Sequence, residues 1–190
     1  MKGRSGHVAR ARAEPILLAE PDPAWAEAFA AEEARLRARF ADIPIGRIEH
    51  VGSTAVPGLI AKPIVDMLIE VPDLQTVHDR IAPVLKAAGY EYFWRPTGPG
   101  EAGVAYAWFI RRDASGARTH HLHMLPPQSP YWDRLRFRDL LRARPDLAAE
   151  YAAVKREAAA RHRNDRAAYA RAKGRYIRRV MSSPEKAPKS

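Results

Sequence analysis

The spacing of apolar side chains predicts an alternating α/β part followed by a purely helical part. Apolar residues recur at helical spacing over residues 24–40, which predicts the first long helix. A second helix is predicted over residues 73–88, with Asp73 as its N-cap, Gly89 as its stop and a kink at Pro83. Short apolar runs predict strands, which are the segment that begins at Pro15, residues 46–51, 63–71 and 90–95, and the two arms of a hairpin around residues 113–116.

From Ser129 onwards the pattern predicts three consecutive helices, opened by Ser129, Pro145 and Asp165. We therefore predict an α/β (α+β) fold with a mixed sheet, flanking helices and a C-terminal helical segment. The predicted organisation has four parts, which are a disordered basic tail (1–14), a core (15–128), C-terminal helices packed on the core (129–181) and a second disordered tail (182–190).

The charge of the chain lies almost entirely in its last third. Residues 129–190 contain 17 Lys+Arg against 7 Asp+Glu and so carry the whole net charge of +10, whereas residues 1–128 contain 15 of each. Such a segment attracts RNA or another polyanion, although a solvated Arg-rich helical face has the same composition. The chain has no cysteine and no apolar run long enough to span a membrane, and its first residues lack the apolar core of a secretory signal. We expect a cytoplasmic protein without a membrane partner.

A Gly-Ser turn after the strand at 46–51 carries the candidate chemistry. Gly52 has no Cβ and lets backbone N–H groups approach a phosphate, Ser53 adds a hydroxyl donor, and Thr54 is placed as a helix N-cap. Asp66 stands in the otherwise apolar run that follows, so the turn and the carboxylate are expected to converge at one edge of the sheet. A phosphate-binding turn beside a carboxylate indicates metal-assisted phosphoryl chemistry.

The segment EHVGSTAVPGLIAKPIVDML resembles the signature of the GrpB-like proteins, a branch of the polymerase-β-type nucleotidyltransferase superfamily. DPAW upstream and HHLHM, FRDLLRARPDLAAEYAAVK and YARAK downstream are similar to the same family's pattern in the same order, so the resemblance spans roughly residues 15–180. It implies a nucleotidyltransferase-like core that is followed by a helical part. Asp66 and Ser53 are then the candidate catalytic residues.

The chain departs from the superfamily pattern at the second acid. The superfamily pairs two acids at alternate positions of this strand, and the second position here is Leu68; Glu70 shares the face but lies two pleats from Asp66. His121 and His123 alternate onto one face and can complete a metal site with Asp66, which would favour a transition metal over Mg²⁺ alone. The alternatives are two histidines held by core hydrogen bonds, or His123 acting as phosphate donor or general base without a metal.

Basic residues elsewhere are further candidates for contacts with a nucleotide. Lys62 can reach a triphosphate or simply face solvent, and Arg138 lies in a row of arginines four residues apart on one helical face. Lys155 follows Tyr151 by four residues, an arrangement that suits a base or ribose, or plain aromatic packing with a snorkelling lysine. The predicted nucleotide-binding residues are Gly52, Ser53, Thr54, Lys62, Arg138 and Lys155.

These features lead to a metal-dependent nucleotidyltransferase, with Mg²⁺ or Mn²⁺ or else a transition metal, that transfers a nucleoside monophosphate from a nucleoside triphosphate to an acceptor. The alternative is a catalytically reduced nucleotide- or RNA-binding protein of the same fold, which Leu68 and the basic C-terminal segment favour. A third possibility is an accessory role beside a coenzyme-A pathway kinase, since some family members resemble fusions to dephospho-CoA kinase. This chain has no kinase P-loop motif of its own.

Overall fold

The computed structural model describes residues 14–95 and 104–182, which form two compact units. The sheet unit comprises residues 22–55 and 63–135, and the helical unit comprises residues 14–21, 56–62 and 136–182. The division therefore falls after Leu135 and not after residue 128, and two earlier segments join the helices. The predicted disordered tails lie outside the described residues, apart from Glu14 and Ser182.

Five strands of the sheet unit form one mixed sheet in the order β1-β2-β5-β4-β3. They are β1 (Ile48–Val51), β2 (Val65–Glu70), β3 (Glu91–Arg95), β4 (Tyr106–Arg112) and β5 (Arg118–Leu125). The central pair β2 and β5 is parallel and the other pairs are antiparallel. Alternate side chains on β2 and β5, among them Met67 and Leu122, are fully buried. The mixed sheet with flanking helices confirms the predicted fold class.

The helices of the sheet unit begin and end where short-range signals place them. They are α1 (Ala24–Arg39), α2 (Leu74–Thr76), a π-helical turn (Val77–Ile81) and α3 (Ala82–Ala87). The Asp73 carboxylate caps α2 by accepting the N–H of Thr76 at 2.6 Å. The kink expected at Pro83 is instead the π turn, in which the Ala82 N–H bonds to the Val77 carbonyl. Because Pro83 has no N–H and its ring crowds the preceding turn, the wider π turn accommodates it.

The helical unit contains the three helices predicted for the end of the chain. They are α4 (Arg134–Ala143), whose first turn still belongs to the sheet unit, α5 (Pro145–Arg161) and α6 (Arg166–Met181). Their apolar core takes in Leu59, Leu147 and Tyr151. The strand predicted after Pro15 is wrong, since only an isolated bridge joins Ala19 to Ala61; prolines at 15 and 21 limit a ladder there. Within the described residues, no helix is long and apolar enough to cross a membrane.

A buried carboxylate connects α1 to the sheet. Glu32 is fully buried and accepts hydrogen bonds from the Tyr90 hydroxyl and, at 2.7 Å, from Arg111 Nη1. Burial, followed by the hydrogen bond and charge of Glu32, raises the pKa of Tyr90 to about 12. Tyr90 therefore remains a donor at physiological pH, and Glu32 holds two partners that come from distant parts of the chain.

Replacing Glu32 with alanine is expected to lower the free energy of unfolding by about 3 kcal/mol, because Arg111 and Tyr90 lose their buried acceptor. The matched control is Glu33→Ala, one residue along, which removes a more exposed carboxylate paired with Arg37 at 2.9 Å and is expected to cost less than about 1 kcal/mol. Urea unfolding followed by circular dichroism measures both. Equal losses would contradict this role for Glu32.

Candidate metal centre

Asp66, His121 and His123 meet on one face of the sheet because β2 and β5 pair in parallel. Asp66 lies opposite His121 in the register, and His123 follows two residues later on the same face. Asp66 Oδ1 is 2.9 Å from His121 Nδ1 and 3.8 Å from His123 Nε2. One ligand atom from each residue lies within 4.8 Å of the others. A carboxylate oxygen and two imidazole nitrogens at this spacing can surround one metal ion.

The carboxylate of Asp66 is the accessible member of the cluster. Its side chain is 33% exposed, against 9% for His121 and 10% for His123. Burial opposes ionisation of Asp66, but hydrogen bonds from the two histidines and their charges outweigh it and hold the pKa of the carboxyl well below its ordinary value. Asp66 is therefore an anion at neutral pH, with one side open to a ligand from solvent.

The hydrogen-bond partners of His121 indicate which ring nitrogen carries the proton. Its Nε2 lies 3.4 Å from Nη1 of Arg118, and a guanidinium can only donate, so Nε2 accepts and Nδ1 carries the proton toward Asp66. A metal ion held by Asp66 would take the place of that proton. Nδ1 of His121 would thus donate a hydrogen bond to Asp66 without a metal ion and would be a ligand when an ion is bound.

The Gly-Ser turn approaches the carboxylate directly. Gly52 follows β1 with a φ of 78°, and a Cβ at this position would lie 2.7 Å from Asp66 Oδ2. Only glycine therefore fits between the turn and Asp66. Ser53 is half-buried and begins a short 3₁₀ turn, Ser53–Ala55. The structure brings the turn and the carboxylate together, as the sequence predicts.

Thr54 stabilises the turn from inside and does not cap a helix. Its buried hydroxyl donates to the Ile64 carbonyl at 3.3 Å and lies 3.0 Å from His50 Nε2. The His50 ring stacks on Phe29 with 4.9 Å between centroids. The turn that Thr54 belongs to is only three residues long, and contact of Thr54 with a nucleotide stays a prediction. His50 was missed, as its partner Phe29 comes from α1.

The position of the missing second acid is filled by apolar side chains. Leu68 is fully buried and packs in a cluster with Val51, Leu125 and Trp132. Beyond it, the Arg47 guanidinium lies 3.8 Å from the centre of the Trp132 ring and bonds Glu70 at 2.9 Å. Since Glu70 is paired with Arg47 and Leu68 offers no oxygen, Asp66 is the carboxylate of this site.

Three aromatic rings that were not predicted as site residues surround His123. The ring centroids of Tyr106, Tyr131 and Trp108 lie 5.2, 5.8 and 6.2 Å from that of His123. Tyr106 and Trp108 alternate along β4, and Tyr131 belongs to the 3₁₀ turn Pro130–Asp133 that follows β5. The environment of the His123 ring is therefore mainly apolar, with hydroxyl groups from the two tyrosines.

Three predicted nucleotide contacts belong to the helical unit. Lys155 is 1% exposed and its ammonium donates to the Ile60 carbonyl, as a buried cation requires; its role in nucleotide binding stays a prediction. Arg138 is 11% exposed and bonds Asp139 at 2.7 Å. Lys62 is half-buried. For Lys62 and Arg138, contact with a triphosphate stays a prediction.

The fold is α+β, and one face of its mixed sheet carries a carboxylate and two histidines beside a Gly-Ser turn. These features define the protein as a domain with a candidate metal centre. The chain matches the family model for GrpB protein over residues 15–183. It therefore belongs to the GrpB family. The crystal structure of conserved protein GrpB from Enterococcus faecalis superposes with a TM-score of 0.67 at 28% identity, over 87% of this chain and 100% of that one.

Two sequence relatives extend this comparison. A UPF0157 protein of Pseudomonas aeruginosa is 43% identical over 161 residues, which are 84% of this chain and 64% of that protein. The dephospho-CoA kinase of Mycolicibacterium paratuberculosis is 33% identical over 183 residues, or 86% of this chain and 44% of that protein. The chain thus spans less than two thirds of the length of either relative.

Replacing Gly52 with alanine is expected to cost about 3 kcal/mol of unfolding free energy, because the methyl group adds a clash with Asp66 to the strain of a positive φ. The control is Gly58→Ala, where φ is 73° and an added Cβ meets nothing within 4 Å, so strain alone should cost about 1 kcal/mol. Chemical unfolding compares them. If both variants lose the same amount, the close approach of Gly52 to Asp66 does not exist.

Proposed function

We propose that this protein is a metal-dependent nucleotidyltransferase that moves a nucleoside monophosphate from a nucleoside triphosphate to an acceptor hydroxyl. The observation that carries the proposal is the direct approach of the Gly52 turn to the Asp66 carboxylate, which itself contacts His121 and His123. An anion-binding turn and a candidate metal site then lie side by side, which is the arrangement that phosphoryl chemistry needs.

The donor set of the site fits a transition metal. Mg²⁺ prefers oxygen ligands in octahedral geometry, whereas imidazole nitrogens suit divalent transition ions. Asp66, His121 and His123 would hold the ion, which when bound would neutralise charge on the phosphate oxygens. We therefore favour Mn²⁺ over Mg²⁺ as the cofactor.

The residues of the turn have the task of positioning the triphosphate. The backbone after Gly52 and the Ser53 hydroxyl would bind phosphate oxygens by donating hydrogen bonds. The acceptor oxygen then forms a bond to the α-phosphorus as the bond to the oxygen bridging toward the β-phosphorus breaks. Pyrophosphate leaves with that electron pair, and the proton of the acceptor hydroxyl passes to water.

A second candidate function is nucleotide binding without transfer, and Leu68 favours it. A two-ion mechanism shares carboxylate oxygens between its metals, and the apolar cluster around Leu68 supplies none. In this case the same turn and cluster bind a nucleotide and its metal ion but do not break the triphosphate.

The metal centre is tested by isothermal titration of the full chain with Mn²⁺, Mg²⁺ and Zn²⁺. We expect one Mn²⁺ per chain, and at least about a tenfold loss of affinity in Asp66→Asn, His121→Ala and His123→Ala. The matched control is His120→Ala on the same strand, whose imidazole lies 3.3 Å from the Ala28 carbonyl of α1; this variant should bind as the wild type does. Affinity that does not depend on Asp66 would exclude the site.

Release of pyrophosphate from each nucleoside triphosphate, in the presence of Mn²⁺ and RNA or small hydroxyl acceptors, separates the two functions. A transferase releases pyrophosphate and loses about a thousandfold of its rate in Asp66→Asn, while circular dichroism shows an intact fold. Binding of metal and nucleotide without any pyrophosphate release would leave the second function in place of the first.

A further inference from the structure

A basic groove lies between α5 and α6 in the helical unit. It encloses a volume of about 310 Å³, and its charged lining consists of Arg161, Arg175 and Arg179 with Glu157 as the acid. His162, the residue directly after α5, also lines the groove. The groove thus has an excess of positive charge even with His162 neutral.

The arginines of the groove reach into solvent. Arg161 is 71% exposed and pairs with Glu157 at 2.8 Å, and Arg179 is 65% exposed and lies 3.4 Å from Glu150. Exposed pairs of this kind contribute little to stability and open readily to a stronger anion. A phosphate that accepts two N–H bonds from one guanidinium is such an anion.

The spacing along α6 suits a repeating anion. Arg171, Arg175 and Arg179 follow one another at intervals of four residues, which places them on one face and about 6 Å apart along the helix axis. Successive phosphates of an extended nucleic-acid strand have a comparable separation. Small side chains on both helices, Ala158 and Ala172, line the groove and leave room for a backbone.

We propose that the α5–α6 groove binds the phosphodiester backbone of single-stranded nucleic acid. Contacts from guanidinium groups to phosphates carry no sequence information, so a groove that binds the backbone accepts strands of any sequence. The groove shares no residue with the metal centre, so this proposal does not depend on nucleotidyl transfer.

The arginine row predicted on α4 is a poorer site for phosphate. Asp139 lies between its members, accepting a bond from Arg138 and lying 3.9 Å from Arg142. Arg134, the first of the row, stacks on Tyr131 with 3.8 Å between the guanidinium carbon and the ring centre. Arg138 is also only 11% exposed, whereas Arg161 and Arg179 of the groove are 71% and 65% exposed and can reach a strand from solvent.

The test is fluorescence anisotropy of the full chain with fluorescein-labelled oligo-U and oligo-dT of about 12 nucleotides, over a range of NaCl concentrations. We expect both strands to bind within about threefold of each other. The double variant Arg161→Ala/Arg175→Ala should lower affinity at least tenfold and reduce the salt slope by about 1.4, because each lost phosphate contact removes about 0.7.

The control removes the same charge from the sheet unit. Arg39→Ala/Arg80→Ala deletes two exposed arginines, and its affinity and salt slope should match those of the wild type. The single variant Arg175→Gln, at an exposed helical position, repeats the test with about half the change in slope if the double variant is unstable.

Three results would overturn the proposal. The first is equal affinity and salt slope for the groove variant and the control. The second is displacement of the strand by polyglutamate or inorganic pyrophosphate at equal charge concentration. The third is loss of strand binding in Asp66→Asn, which would place the strand at the metal centre. Conversely, strand binding that Asp66→Asn leaves intact supports the groove even where the proposed transferase activity fails.

Discussion

The candidate site depends on the parallel pairing of two central strands whose facing residues are 55 positions apart in the chain. This register sets Asp66 opposite His121 and brings His123 to the same face. Because side chains on a strand alternate, a slip of one residue would turn both histidines into the core on the other side. The antiparallel pairing of β1 adds the last element, since Val51 lies opposite Asp66 and Gly52 comes directly after it.

The side chains around Asp66 limit which ligands a metal ion would meet at this site. The sheet face that holds Asp66 becomes apolar at Leu68, where Trp132 and Leu125 close over it. Tyr106 and Tyr131 pack against the same apolar cluster and also lie against His123. A metal ion at Asp66 would therefore be surrounded by imidazole nitrogens and aromatic rings. A site with two carboxylates would offer it further oxygen ligands instead. The turn at Gly52 borders the Asp66 carboxylate, which is the most exposed member of the cluster.

Sequence patterns were sufficient for features that depend on local spacing. Helical periodicity located α1, the start signals at Pro145 and Asp165 located α5 and α6, and the alternation of His121 and His123 placed both on the face of Asp66. Features set by contacts between different elements of the fold were missed. The hydroxyl of Thr54 and the ammonium of Lys155 resemble free ligand-binding groups in the sequence, but one is next to His50 and the other bonds Ile60, 95 residues away. Neither residue type reveals such a partner, and the same holds for Tyr131 beside His123.

The helical unit is discontinuous in the chain, and this affects how such a protein can be rearranged in evolution. Its segment 56–62 lies between β1 and β2, yet Leu59 packs in the core with residues of α4, α5 and α6, and Ile60 accepts the ammonium of Lys155. A chain that stopped after Leu135 would leave Leu59 in water and the Ile60 carbonyl without its cation. Because the helical unit is built from three segments of the chain, a single break in the gene does not separate the two units.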